Sequence, residues 1–128
     1  MANKEVKKSS NVSDGKACAV LSYLLVGIIW YFVDEKMKKN NFVKYHVKQG
    51  LVLLIASILY SLVLLILFGI LFVPLMFGGA GMLLGLFMVL RLLYYIPLIL
   101  AILGIINAAN GSEKELPIIG KYASKFTF

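Results

Sequence analysis

The chain has 128 residues, of which 61% are hydrophobic and 15% are charged, and its formal net charge is +7. Soluble domains average about 45–50% apolar and about 25% charged residues, so this composition excludes an ordinary water-soluble fold. The single cysteine, Cys18, excludes an internal disulfide. This cysteine and the single histidine together are too few ligands for a protein-only zinc or iron site.

Residues 1–16 are polar and hold four lysines, which predicts a flexible basic N-terminal tail. Residues 17–33 then form an apolar block that ends in Trp30, Tyr31 and Phe32, aromatic side chains typical of a membrane interface. The block is longer than the apolar part of a signal peptide, about 7–15 residues, and charged residues follow it instead of a cleavage site. We therefore predict a first membrane span over residues 17–33.

From Gly50 to Leu90 the sequence runs 41 residues without a charged side chain. About 20 apolar residues cross the roughly 30 Å hydrocarbon layer of a bilayer, so a second span is predicted over residues 45–73, ending before Pro74. A set of residues near its start recurs at steps of three and four and is predicted to share one helix face. They are Phe42, Tyr45, His46, Gln49, Leu53, Ser57 and Tyr60.

Three glycines at positions 78, 79 and 81 predict a turn after Pro74, and a third span follows over residues 82–109 with a kink at Pro97. The length after Pro74 favours three spans, although four are possible. Three spans place eight lysines on one side of the membrane and four on the other, which favours a cytoplasmic central loop and an outside N-terminus. A four-span arrangement divides the charges almost evenly.

The predicted fold is therefore all-α, a polytopic membrane helix bundle. A transmembrane domain over residues 17–111 lies between the N-terminal tail and a basic C-terminal tail, residues 112–128. Because the basic residues flank the apolar blocks, they predict anionic lipid headgroups as a partner and not nucleic acid. A multi-pass protein of a prokaryotic cytoplasmic membrane is the expected localisation.

Two polar residues at the start of the second span are candidates for function. His46 titrates near physiological pH and forms with Gln49 a candidate proton-sensitive or substrate-contacting pair. The structural alternative is that both side chains bind neighbouring backbone and hold the helix at its entry angle.

Three further candidates lie in or just beyond the third span. Arg91 is a charge inside an apolar segment, a functional signal by default, and its structural alternative is a side chain that snorkels to the interface. Asn107 is predicted to contact His46 or Gln49, and Gly111 continues a stripe of small residues that lets helices approach closely.

Enzymatic features are missing from the sequence. There is no phosphate-binding GxxxxGK loop, no carboxylate in the apolar segments, and no recognisable nucleophile beside a histidine base. We predict a protein without catalytic residues and without a metal or other cofactor.

Two stretches carry a family resemblance: residues 41–53 (NFVKYHVKQGLVL), and residues 104–111 (GIINAANG) leading to residues 116–123 (LPIIGKYA). They resemble the signature stretches of the Tic-twenty-like family, prokaryotic relatives of the twenty-kilodalton subunit of the chloroplast inner-envelope translocon, many of unknown function. The resemblance implies packing between the His46 and Asn107 regions and a role related to protein translocation.

Three functional hypotheses follow. The first is a non-enzymatic scaffold or subunit of a membrane complex, with a membrane protein partner or a homo-oligomer. The second is a small oligomeric channel, holin or transporter, and the third is an immunity-type membrane protein. The scarcity of polar groups inside the apolar segments favours the first.

Overall fold

The computed structural model describes residues 2–78 and 80–128, which are largely helical and contain no strand. Gly79, part of the predicted turn, lies outside the described residues. The helices are α1 (Ala2–Ser22), α2 (Val26–Val33), α3 (Glu35–Lys38), α4 (Asn41–Met76), α5 (Ala80–Leu93) and α6 (Ile96–Ala109), followed by a 3₁₀ helix (Gly120–Lys125).

The first predicted span is a hairpin of α1 and α2. Helix α1 ends at Ser22, Leu25 adopts a left-handed φ of 69°, and α2 returns along α1. The Cys18 thiol donates to the carbonyl of Gly27 at 3.4 Å, and a Cβ on Gly27 would collide with the backbone of α1. Since the eight residues of α2 extend only about 12 Å, this block does not form the predicted continuous helix.

Two helical segments are long and apolar enough to cross a membrane. One is α4 (Asn41–Met76), and the other is Leu83–Ala109, which combines most of α5 with α6. The predicted count of three spans is therefore not confirmed. In the most apolar 18-residue stretch of each segment, only 17% and 11%, respectively, is buried within the molecule. The core helix of a soluble protein is mostly buried, whereas these helices present long apolar surfaces that suit lipid.

Residues 2–16 differ from the predicted flexible tail because they belong to α1, which runs parallel to the start of α4. The Asn40 side-chain amide donates to the carbonyl of Asn11 at 2.7 Å. Further along, Gly15 lies against Val43, and an added Cβ on Gly50 would stand 2.6 Å from the carbonyl oxygen of Ser22. Buried small residues of α1, including Gly15, allow this close approach.

Helix α4 divides into a buried first part and an exposed second part. Asn40 caps it, its side-chain oxygen accepting from the backbone N–H of Phe42 and Val43. The predicted face is buried where the other elements cover it, with Phe42, His46 and Gln49 each at most 2% exposed. Most apolar side chains beyond residue 54 are exposed, so the molecule consists of a packed end and an apolar helical hairpin.

The predicted kink near Pro97 is a break in the helix at Tyr94 and Tyr95, and α6 starts with Pro97 in its first turn. Proline has no N–H to offer the carbonyl four residues earlier, that of Leu93. The hydroxyl of Tyr60 on α4 donates to that carbonyl at 2.7 Å. The neighbouring helix therefore satisfies the group that Pro97 leaves free.

The C-terminal segment is part of the packed end. Leu116 is 2% exposed and Ala123 is 5% exposed, and the 3₁₀ helix packs on α4. The predicted tail therefore contributes to the core.

Candidate functional site

The main buried polar site consists of Tyr23, His46 and Gln49, here called the core polar cluster. These side chains are 6%, 0% and 1% exposed, respectively. The Tyr23 hydroxyl and Nδ1 of His46 share a hydrogen bond of 2.9 Å, which joins the end of α1 to α4. The rings of Phe42 and Tyr45 pack edge-on against the imidazole, with centroid distances of 4.7 and 5.3 Å.

His46 retains one unused polar atom. Its Nε2 is buried and has no hydrogen-bond partner among the described residues. Leaving a buried polar atom unpaired costs about 1–3 kcal/mol, so this nitrogen is an unusual feature of the core polar cluster.

Gln49 joins the C-terminal segment to α4 through two hydrogen bonds. Its side-chain N–H donates to the carbonyl of Gly120 at 3.1 Å, and its side-chain oxygen accepts from the backbone N–H of Leu116 at 3.2 Å. One amide thereby satisfies two backbone groups that are distant in sequence. Gly120 lies so close that an added Cβ would stand 2.8 Å from the amide oxygen.

Replacing Gln49 should release this segment. In Gln49→Leu the volume is similar, but the N–H of Leu116 and the carbonyl of Gly120 lose their partner, at a cost of about 1–3 kcal/mol for each buried group. Limited trypsin digestion in detergent should then cleave faster after Lys121 and Lys125. Ser57→Ala is the control, because that hydroxyl donates only within α4, to Leu53 at 2.6 Å. Equal cleavage of Gln49→Leu and wild type would contradict the role given to Gln49.

Asn107 does not bond to His46 or Gln49, all three of which lie in the described part of the chain. The predicted contact is replaced by one from the preceding turn of α6, where Gly104 lies directly against the Tyr23 ring. Because Gly104 has no side chain, α1 lies close to α6. In this arrangement the hydroxyl of Tyr23, and not Asn107, bonds to the imidazole of His46.

Gly111 lies where the chain leaves α6. It adopts a left-handed φ of 70°, and an added Cβ would stand 2.8 Å from Cγ1 of Val12. The residue thus combines a helix exit with a close contact to α1, as expected of glycine at a C-terminal helix stop.

Arg91 stands apart from the core polar cluster. It lies in the last turn of α5 and is exposed, and no described hydrogen bond joins it to Tyr23, His46 or Gln49. Because α5 begins at Ala80, Arg91 is 11 residues, or about 16 Å, along the helix from its start.

Sequence reasoning missed Tyr23 and the backbone of the C-terminal segment. Tyr23 carried a usable signal, since a tyrosine hydroxyl inside an apolar block requires a hydrogen-bond partner. The backbone groups of Leu116 and Gly120 carried none.

All 12 lysines belong to one end of the molecule, here called the lysine-rich end. Hydrogen bonds place Asn11 beside Asn40 and Gly120 beside Gln49, so the N-terminal helix, the α3 region and the C-terminal segment meet there. The 13 basic residues comprise these lysines and Arg91. The predicted division of eight against four is therefore not confirmed, because the hairpin of α1 and α2 returns the chain to its starting end.

Asp34 ends α2 and caps α3 at the lysine-rich end. Its carboxylate accepts from the Trp30 indole N–H at 3.2 Å and from the backbone N–H of Lys36 at 2.8 Å. These donors stabilise the charged form and hold the pKa of Asp34 below its usual value. The aspartate is thus a structural cap at the end of the hairpin.

Comparison with known families gives one match. The model of the MamF/MmsF family, described as a magnetosome magnetite crystal formation protein family, matches residues 14–123. That match contains both stretches on which the Tic-twenty-like resemblance rested, so the resemblance is wrong and the translocation role it implied is not supported. No curated protein and no solved structure matches significantly.

Proposed function

Because the chain belongs to the MamF/MmsF magnetosome magnetite crystal formation family, we propose that it is a non-enzymatic, multi-pass protein of the magnetosome membrane. In this proposal it influences crystal formation as a small scaffold or subunit of a membrane complex. The observation that carries the proposal is the separation of an apolar helical hairpin from a single end that bears every lysine.

Two helical segments that are long and apolar enough to cross a membrane support this placement. In the proposed arrangement α4 makes one crossing and α5 with α6 makes the other, while the α1–α2 hairpin enters the apolar region and returns. Positive loops remain on the cytoplasmic side of membranes, so we place the lysine-rich end there. The turn between α4 and α5 then faces the opposite compartment.

The distribution of carboxylates argues for an indirect effect on the mineral. All six acidic residues lie before Gly50 or after Gly111, at the lysine-rich end, and the sequence at residues 77–79, between α4 and α5, contains no acidic, histidine, cysteine or tyrosine residue. Iron is bound in proteins by imidazole, carboxylate, thiolate or tyrosinate. The side facing away from the lysines therefore lacks groups that ligate iron, and the action runs through the membrane and protein partners.

The alternative of a water-filled channel has less support. The hydroxyls of Ser57 and Tyr60 in the apolar part of α4 already donate to the backbone carbonyls of Leu53 and Leu93. A pore would need such groups free to face water.

Expression in a magnetite-forming bacterium deleted for its own family members tests the proposal. The chain should shift the distribution of crystal sizes measured by electron microscopy, and the tagged protein should co-elute with another membrane protein after mild extraction. The double variant Asp14→Asn/Glu35→Gln should keep the effect, because the proposed role needs no carboxylate ligands. Loss of the effect in this variant, or extraction as a lone monomer, would overturn the scaffold assignment.

A further inference from the structure

A cavity of about 350 Å³ lies at the lysine-rich end, between α1, the start of α4 and the C-terminal segment. Its lining residues are Lys4, Lys7, Lys8, Asn11, Asn41, Phe42 and Glu113. The members from α1 recur at steps of three and four, so they share one helix face. Their convergence with two other elements distinguishes them from lysines on an open, solvated helix face.

The wall that carries these lysines is fixed to the rest of the molecule. The carbonyl of Asn11, itself in the lining, accepts from the side-chain amide of Asn40 at 2.7 Å. One turn later Gly15 lies against Val43, and Gly111 lies against Val12. These contacts keep the middle of α1 beside the start of α4, and the turns that carry the lysines continue the same helix.

The charges that line the cavity favour an anion. The lining contains three lysines and one carboxylate residue, Glu113, which leaves an excess of two positive charges. The lysine stems are flexible enough to direct several N–H donors at one group, and the side-chain amides of Asn11 and Asn41 offer further donors. The positive end of the 36-residue α4 adds to the same potential.

We propose that this three-lysine cavity binds a phosphate-type dianion. A phosphate monoester or inorganic phosphate carries up to two negative charges, which matches the local excess, and its oxygens accept charge-assisted hydrogen bonds from lysine. The proposal does not depend on the role in crystal formation.

Two sources supply this chemistry. The cavity lies level with the first residues of α4, before the apolar surface begins. In the proposed membrane placement this level is the headgroup region. A soluble phosphate reaches it from the aqueous side, and a phosphomonoester lipid such as phosphatidic acid reaches it from the bilayer. Both place the same group among the same lysines.

Binding of inorganic phosphate to the full chain, measured by calorimetry in phosphatidylcholine nanodiscs, tests the soluble source. Lys4→Gln/Lys7→Gln/Lys8→Gln should weaken binding by about tenfold or more, since it removes the three positive charges that attract the dianion. The control triple Lys36→Gln/Lys121→Gln/Lys125→Gln removes the same charge from the same end but outside the lining of the cavity. It should change affinity by less than about twofold, because exposed charges outside the site are screened by salt.

Retention of phosphatidic acid, measured by native mass spectrometry after delipidation, tests the lipid source with the same two triple variants. Loss of phosphatidic acid retention in Lys4→Gln/Lys7→Gln/Lys8→Gln, but not in the control triple, assigns the site to lipid. Equal losses in both triples would show a general attraction of a basic surface and overturn the proposal, as would the absence of binding in both experiments.

Glu113→Gln separates binding from folding. Removing the one carboxylate of the lining should tighten the binding of the dianion severalfold, a gain that a damaged structure does not produce. Helical content, measured by circular dichroism, should match wild type in every variant. Unchanged or weaker binding in Glu113→Gln would overturn the assignment of the cavity.

Discussion

Cysteines placed at Ser9, Lys38 and Ser124 should all react with a membrane-impermeant maleimide from the same side of the membrane, and a cysteine at Phe77 should react only from the opposite side. The first three positions are exposed at the lysine-rich end, and Phe77 is 87% exposed at the turn between α4 and α5. The effect is all or none, because a charged reagent does not cross the bilayer. A Cys18→Ala background removes the natural thiol.

This experiment separates the hairpin from a first membrane span. A span over residues 17–33 would put Ser9 and Lys38 on opposite sides, whereas the hairpin puts them together, as the bond between Asn11 and Asn40 requires. Labelling should be compared in intact cells and in inverted vesicles, so that an unreactive site is distinguished from one on the inner side. Opposite labelling of Ser9 and Lys38 would contradict the two-crossing arrangement.

Gly50→Ala and Gly69→Ala should change stability in opposite directions, although both glycines lie inside α4. A Cβ at position 50 meets the carbonyl oxygen of Ser22 at 2.6 Å and the carbonyl carbon at 3.1 Å. Backbone atoms cannot rotate away as a side chain does, so we expect a loss of about 1–3 kcal/mol, typical of overpacking.

Gly69 serves as the matched control, since no heavy atom lies within 4 Å of its added Cβ. Alanine there should only remove the conformational freedom of glycine and add about 0.5–1 kcal/mol of stability. Thermal unfolding in detergent, followed by circular dichroism, measures both changes. A stabilising Gly50→Ala would contradict the close crossing of α1 and α4.

The interior of the packed end shows where sequence reasoning succeeds and where it stops. The three- and four-residue spacing of Phe42, His46 and Gln49 predicts one shared face, and all three are buried. Their partners were not predictable, because helical periodicity identifies a face but not what covers it. The choice of Tyr23 over Asn107 for His46 depends on how closely α1 approaches α6 at Gly104.

The composition and the uncharged stretch from Gly50 to Leu90 determined that the fold is all-helical and that it is apolar enough for a membrane. Both properties follow from the residue types and from the length of the apolar helices. Only the tertiary structure decided the path of the first apolar block. Its hydropathy is the same whether it crosses or turns back, and the turn at Leu25 becomes stable because α2 packs on α1 and α1 packs on Gly50. That reversal brings every lysine to one end and creates the three-lysine cavity.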